Sequence, residues 1–252
     1  LTKILINKGY DVIGLDTNYY KGCEFGENPP RVKEIAKDIR KVSKDDLKGV
    51  EAIIHLAALS NDPLCELNPQ ITFAINHKAS VRLAKLAKES GVKRFIFASS
   101  QGMYGIAKDG MVEEDSPKNP LTAYAKSKLM AEKDIGKLAD NSFSPVYLRP
   151  TTVCGVSPML RLDILLNTMI AYAYTTGKIT LKVADDVWRA AIHIEDVSRA
   201  FIAVLEAPRG LIENQAFNVG ENKNNSTIHN MAKYVQEVIP GVEIELLEEI
   251  DP

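Results

Sequence analysis

Up to about Thr151, short runs of β-branched and apolar residues alternate with longer amphipathic stretches, and this rhythm most limits what the chain can fold into. Such alternation is the signature of βαβ units, in which a parallel sheet is covered by helices, so the fold class is α/β. Strands are predicted at Asp11–Leu15, Ala52–Leu56, Arg94–Ala98, Val146–Leu148 and Ala216–Val219. Helices are predicted over Ile71–Lys88 and Ala125–Leu138, whose apolar residues recur at mostly helical spacing, and a third is expected to open at Asp196 as its N-cap. Beyond Thr151 the rhythm loosens without any Pro-, Gly- or Ser-rich linker. A main domain over residues 1–152 is therefore expected, with a smaller lobe over 153–252 woven between the last strands.

Composition removes other classes. With 45% apolar and 25% charged residues the chain is neither disordered nor collagenous, and 252 residues suffice for a large core. A net charge of −2 without a long basic run argues against nucleic acid as a partner. No stretch approaches the ~18 uninterrupted apolar residues of a membrane span. Cys23, Cys65 and Cys154 are widely spaced and include no C-x-x-C, which fits a reducing compartment, and the chain reads as cytoplasmic. His55 and His193 sit beside strand ends, while His77 and His229 lack a ligand partner at i+4, so no metal is expected. Leu1–Ile6 runs into Asn7-Lys8-Gly9 as if already inside a helix, and Leu246–Pro252 ends without a closing element. Both ends read as parts of a longer chain, and a glycine-rich loop and first strand are expected before residue 1.

Three features carry chemistry. Asp16 follows Val12-Ile13-Gly14-Leu15; in a dinucleotide-binding sheet an acid there accepts the adenosine ribose hydroxyls and repels a 2′-phosphate, although Asp is also common at strand-end turns. Tyr-x-x-x-Lys sets a phenol and an ammonium one helical turn apart, so the cation can lower the phenol pKa from about 10 towards 7, worth about 4 kcal/mol. With nine tyrosines and roughly one residue in eleven a lysine, about 0.8 such pairs arise by chance, and this chain has three. Tyr104/Lys108 begins at a Tyr-Gly leaving a strand, and Tyr174/Lys178 is interrupted by Gly177, whereas Tyr124/Lys128 opens a clear helix. Ser99-Ser100 closes the strand Arg94–Ala98, the end at which parallel sheets place reacting groups; a loop cap is the plainer reading of the same pair.

These residues occur in a recognisable order: Asp16, His55-Leu56-Ala57-Ala58, Asn76, Phe97-Ala98-Ser99-Ser100 to Tyr104-Gly105, Tyr124-Ala125-Lys126-Ser127-Lys128, Leu148-Arg149-Pro150, Arg189 with His193-Ile194-Glu195-Asp196-Val197, and Phe217-Asn218-Val219-Gly220. The chain thereby resembles the extended short-chain dehydrogenases, and within them the NAD-dependent nucleotide-sugar epimerase/dehydratase group. The resemblance implies a doubly wound sheet of the Rossmann type, NAD as cofactor, a nucleotide-sugar substrate and a homodimer formed by Ile71–Lys88 and Ala125–Leu138. It implies that Asp16 holds the adenosine ribose, Asp38 and Ile39 the adenine, and Leu56, Ala57 and Ala58 the pyrophosphate side. Ser99 and Pro150 line the cofactor and Asn76 braces the site backbone. Ser100 and Tyr124 are implied as the catalytic hydroxyl and base, with Lys128 on the nicotinamide ribose. Ser100, Gln101 and Tyr124 would touch the substrate, and Asn167 and Arg189 would grip its diphosphate.

Departures narrow the activity. Dehydratases of the resembled family carry an acidic pair after the catalytic Ser/Thr, 3,5-epimerases a cysteine and decarboxylases a glutamate at the second position, but here the two residues are Gln101 and Gly102. Neither shuttles a proton. Thr152 stands where many members have an asparagine that touches the substrate. A nucleotide-hexose 4-epimerase needing only Tyr124 and NAD is the expected activity. The alternatives are a 4-keto-sugar reductase, a small-alcohol dehydrogenase of the same family, and a non-catalytic NAD-binding sensor.

Overall fold

The computed structural model describes residues 1–26, 30–106, 110–182 and 187–247. The chain runs α1 (Thr2–Asn7), β1 (Ile13–Asp16), β2 (Lys33–Ala36), β3 (Ala52–His55), α2 (Asp62–Leu67), α3 (Pro69–Thr72), a π-helical segment Phe73–Ala79, α4 (Ser80–Glu89), β4 (Arg94–Ala98), α5 (Ala123–Gly136) and β5 (Ser144–Pro150). It continues through β6 (Thr152–Cys154), α6 (Leu165–Thr176), β7 (Lys178–Lys182), β8 (Trp188–His193), α7 (Ile194–Glu206), α8 (Arg209–Ile212), β9 (Ala216–Val219), β10 (Asn225–Thr227), α9 (Ile228–Val238) and β11 (Glu243–Leu247). Two compact units result. One gathers Leu1–Gly22, the described part of Pro29–Pro150, and Ser198–Val219; the other gathers the described parts of Cys23–Asn28, Thr151–Val197 and Gly220–Pro252.

In the first unit β3, β4, β5 and β9 form a parallel sheet in that order, with Phe97 opposite Tyr147 and Ala98 opposite Leu148. β1 and β2 form a separate parallel pair in which Asp16 faces Ala36. Phe95, Ile96 and Phe97 are all buried, as a strand covered on both faces requires. Leu83, Ala84 and Ala87 of α4 and Ala131 and Ile135 of α5 pack with Phe95, Phe97 and Tyr147 into one core. Full burial of each large side chain there contributes ~1.5–3 kcal/mol. Leu67, Ile71 and Met130, on the same helical layer, are exposed.

The helix expected at 71–88 is present from Pro69 to Glu89, but its middle is π-helical. It starts where Asn68 Oδ1 accepts from Ile71 N–H at 3.1 Å and Pro69 occupies the first turn. The third helix departs from expectation. It opens at Ile194 rather than Asp196, because His193 Nδ1 accepts from Glu195 N–H at 3.3 Å and takes the capping part. Glu195 and Asp196 then fall in the first turn, where the helix dipole favours acids.

In the second unit β8 lies between antiparallel β10 and parallel β6, and β7 pairs with β11 in parallel. Met169 and Ala173 of α6 and Ile228, Met231, Ala232 and Val235 of α9 cover Ile179 and Leu181 of β7. α6 stops at Gly177, whose φ of 72° is left-handed, so Tyr174 ends a helix while Lys178 begins a strand. That Tyr/Lys pair is not helical, as the glycine implied. Tyr104 closes a 3₁₀ turn, Gln101–Tyr104, and Lys108 lies outside the described residues. Among the described residues no helix is long and apolar enough to cross a membrane.

Candidate active site

The site is built where β4 ends. Lys128, on the first turns of α5, buries its side chain completely and donates from Nζ to Ala98 O at 2.7 Å. The ammonium stands 4.7 Å from the Phe97 ring centre and 5.8 Å from that of Tyr124. Burial pulls the Lys128 pKa down to about 8. Tyr124 is half-buried on the same helix face, one turn earlier. This one bond therefore ties the Tyr/Lys turn to the strand end that carries Ser99 and Ser100.

Ser100 caps the turn Gln101–Tyr104, its Oγ accepting from Gly102 N–H at 3.1 Å. The turn lies against α5, since a methyl at Gly102 would sit 3.7 Å from Ala125 Cβ and 3.3 Å from Ser100 Oγ. Ser100 and Tyr124 are thus brought to one edge, with Gln101 and Gly102 beside them. Ser99 Oγ is buried and lacks a hydrogen-bond partner among the described residues, which leaves a hydroxyl ready for a bound group.

The start of α5 is fixed twice. Thr122 Oγ1 accepts from Ala125 N–H at 3.2 Å, and Glu66 Oε1 of α2 accepts from Ala123 N–H at 2.6 Å. Ser127 Oγ donates to Tyr124 O at 2.7 Å and accepts from Asn76 Nδ2 at 3.2 Å. Asn76, fully buried in the π-helical segment, clamps both backbone groups of Leu59, at 2.8 Å each. π turns often mark functional positions. Leu59 follows Leu56-Ala57-Ala58, so one amide connects that turn after β3 to the helix bearing Tyr124. Ser80 Oγ gives its proton to Asn76 O at 2.8 Å, so His55 Nε2, 2.8 Å from the same Oγ, is the donor of its pair. Burial lowers the His55 pKa to about 3, helped by Lys128, and the ring is neutral.

At the other pair of strands, Asp16 Oδ1 accepts from Asn18 N–H at 2.7 Å, and Asn18 adopts φ 58°. Thr17 Oγ1 reaches the same oxygen at 3.5 Å, and among the described residues no donor reaches Oδ2. Asp38 caps the turn Ile39–Lys41 and is bonded to Arg40, while Ile39 is buried. Pro150 closes β5. In the second unit Asn167 spends its amide on backbone, accepting from Gly155 N–H at 3.2 Å and donating to Arg161 O at 2.9 Å. Arg189 is exposed on β8 and donates to Trp188 O at 3.1 Å.

A further network has no counterpart among the residues singled out above for chemistry. Arg149 of β5 grips Glu132 of α5 through two bonds of 3.0 and 3.1 Å, with both side chains buried. It also donates to the Tyr104 hydroxyl at 2.7 Å and to Glu114 O at 2.9 Å. Tyr104 passes its proton to Asn218 Oδ1 at 2.8 Å, and Asn218 N–H returns to Glu114 Oε1 at 2.7 Å. Burial pushes the Glu132 carboxyl up while the Arg149 fork opposes it. Tyr104-Gly105, Arg149 and Asn218 stand in the motif order quoted above, but their mutual bonds span 45 to 114 positions in sequence.

Residues 1–220 match the model of the NAD dependent epimerase/dehydratase family, and the chain belongs to that family. It is 26% identical over 269 residues to a UDP-glucose 4-epimerase of Bacillus subtilis (strain 168), covering 95% of this chain and 78% of the relative. Among solved structures it superposes with a TM-score of 0.85, at 22% identity, on an NAD-dependent NDP-hexosamine 5,6-dehydratase involved in tunicamycin biosynthesis, covering 98% of this chain and 79% of the other. MoeE5 in complex with UDP-glucose and NAD gives 0.84 at 24% identity, with 98% and 80% covered. The fold is accordingly the Rossmann-type parallel α/β arrangement, and NAD is the cofactor of the family. The residues present fit that cofactor: the open Oδ2 of Asp16, the unpartnered hydroxyl of Ser99 and the buried ammonium of Lys128 offer the acceptor, polar and cationic groups that a ribose-bearing dinucleotide takes.

Proposed function

We propose that the protein is a nucleotide-sugar 4-epimerase acting through transient oxidation of the sugar at C4. The observation that carries this reading is the Lys128–Ala98 bond, which sets a Tyr/Lys turn against Ser100 while the next two residues, Gln101 and Gly102, offer no acid. When bound, NAD supplies the hydride acceptor and returns the hydride. Tyr124, with a buried ammonium 5.8 Å from its ring, takes the proton of the 4-hydroxyl and later restores it. Ser100 donates to the same oxygen as its charge changes, and Lys128 favours the phenolate and holds the ribose. Asp16 takes the adenosine ribose, with Asp38 and Ile39 beside the adenine and Leu56-Ala57-Ala58 along the pyrophosphate. Arg189 receives the substrate diphosphate, for which a guanidinium fork is suited. Asn167 serves by shaping the Gly155–Arg161 backbone. The relatives named for UDP-glucose 4-epimerization make UDP-hexoses the first substrates to examine.

The test is proton NMR of the full-length protein with UDP-, dTDP- and GDP-hexoses and no added nicotinamide. A C4 epimer is expected from one of them, and Tyr124→Phe should keep NAD while losing more than nine-tenths of turnover. Turnover of a 4-keto sugar only after NADH or NADPH is supplied would replace the proposal with a reductase.

A further inference from the structure

The register of β1 and β2 gathers charges of both signs at one sheet edge. Asp16 closes β1 opposite Ala36, Lys37 N–H donates to Asp16 O at 2.8 Å, and Asp38 and Arg40 follow directly. Arg40 commits itself to Asp38: its backbone N–H donates at 2.8 Å, its Nε reaches both carboxylate oxygens at 3.0 Å, and its Nη2 reaches Oδ2 at 2.6 Å. The Arg40 side chain is nevertheless 46% exposed, whereas that of Asp38 is 16% exposed. Lys37, the neighbouring cation, is likewise taken, by Asp46 at 2.6 and 2.7 Å.

Near the adenosine ribose of a dinucleotide, a carboxylate accepts the free 2′-hydroxyl, and an arginine receives a 2′-phosphate. This edge carries both kinds of residue, so which cofactor it takes depends on whether Arg40 is available. With its Nε–Nη2 edge closed on a carboxylate, the guanidinium has its net charge cancelled and only the Nη1–Nη2 edge left for a phosphate. The Arg40 bonds hold the Asp38 carboxyl below its usual range, so the pair stays ionised and closed at neutral pH. Of Asp16, Lys37, Asp38 and Arg40, only Asp16 then keeps a charge without an ion-pair partner among the described residues, and that charge repels phosphate.

We propose that Asp38 is a cofactor-specificity residue: by closing Arg40 in an ion pair, it withholds the cation a 2′-phosphate needs and makes the edge select NAD over NADP. This rests on the proposed reading of Asp16 as the ribose carboxylate and adds a second determinant to it. The test measures NAD and NADP dissociation constants of the full-length protein by calorimetry. Asp38→Asn keeps a capping side chain for the turn, and Asp38→Ser does the same where the Asn variant fails to fold. Either should narrow the NAD-to-NADP preference at least tenfold, chiefly by tightening NADP, and more strongly at low salt. Adding Arg40→Gln should abolish the gain. Equal weakening of both nucleotides, or a gain that survives Arg40→Gln, would overturn the proposal. Failure of the underlying reading looks different: Asp16→Asn would leave the preference unchanged, removing the ribose from this edge and the proposal with it.

Discussion

Lys128 carries a charge that folding removes from water without giving it a carboxylate partner among the described residues. Its acceptor is one carbonyl, Ala98 O, and its neighbours are the Phe97 and Tyr124 rings. A lysine pKa of about 8 in place of 10.5 implies that holding the ammonium there costs roughly 3 kcal/mol below pH 8. Between about pH 8 and 10.5 the unfolded chain binds more protons than the folded one, so stability should rise with pH through that window. Lys128→Met in cofactor-free protein is therefore expected to stabilise at pH 7 by roughly 2 kcal/mol, the charge cost less ~1 kcal/mol for the lost bond. The gain should shrink by pH 10 while turnover disappears; denaturant unfolding at both pH values checks it, and a destabilised variant with an unchanged pH dependence would contradict it. Stability given up at one residue is what a working site commonly shows. At this scale the sequence was informative where chemistry depends on local spacing. Tyr124/Lys128 is separable from the other two Tyr-x-x-x-Lys pairs by helix context alone. The Arg40 grip on Asp38 is also local, two residues apart, yet spacing does not tell a capping aspartate from a ligand. The Arg149–Glu132–Tyr104 network was not legible, because its bonds join residues whose proximity only the fold creates.

Among the elements, the turn Gln101–Tyr104 and the segment after it show how backbone position is enforced. Gly105 has φ 68°, and a Cβ there would lie 2.1 Å from Asn119 O, so the chain at Asn119 passes directly over it. Glu114 and Lys118 of the same segment are held by Asn218, Arg149 and a 2.7 Å bond between Lys118 Nζ and Glu114 O. Gly105→Ala should therefore cost ~3 kcal/mol or more, read as a lowered unfolding midpoint, because both the left-handed backbone and the clash oppose it. Gly110→Ala, also at positive φ but with no atom near its Cβ, should cost only ~1 kcal/mol. Comparable losses at the two glycines would contradict this account. Buried strands such as Arg94–Ala98 and the helices before and after it in the chain were readable, since burial on both faces leaves continuous apolar runs. β2, β6, β8, β10 and β11 were not, because they are largely exposed or half-buried, which leaves no continuous apolar run. The start of α7 was misplaced because a histidine, three residues before Asp196, accepts the Glu195 N–H of the first turn.

For the whole molecule, chain order and spatial order diverge. The chain leaves the first unit after Pro150 and returns for Ser198–Val219, which supplies β9, the sheet neighbour of β5. The motif Phe217–Gly220 falls on the returning strand and its end. The central claim is that one phenol and one resident nicotinamide serve both halves of a C4 inversion. Its most direct test uses the full-length protein, without added nicotinamide, and the hexose that turns over in the NMR panel, labelled with deuterium at C4. The account predicts that the epimer keeps the deuterium at C4, since the same hydride leaves and returns. Loss of the label to water, or inversion only when NADPH is supplied, would contradict it.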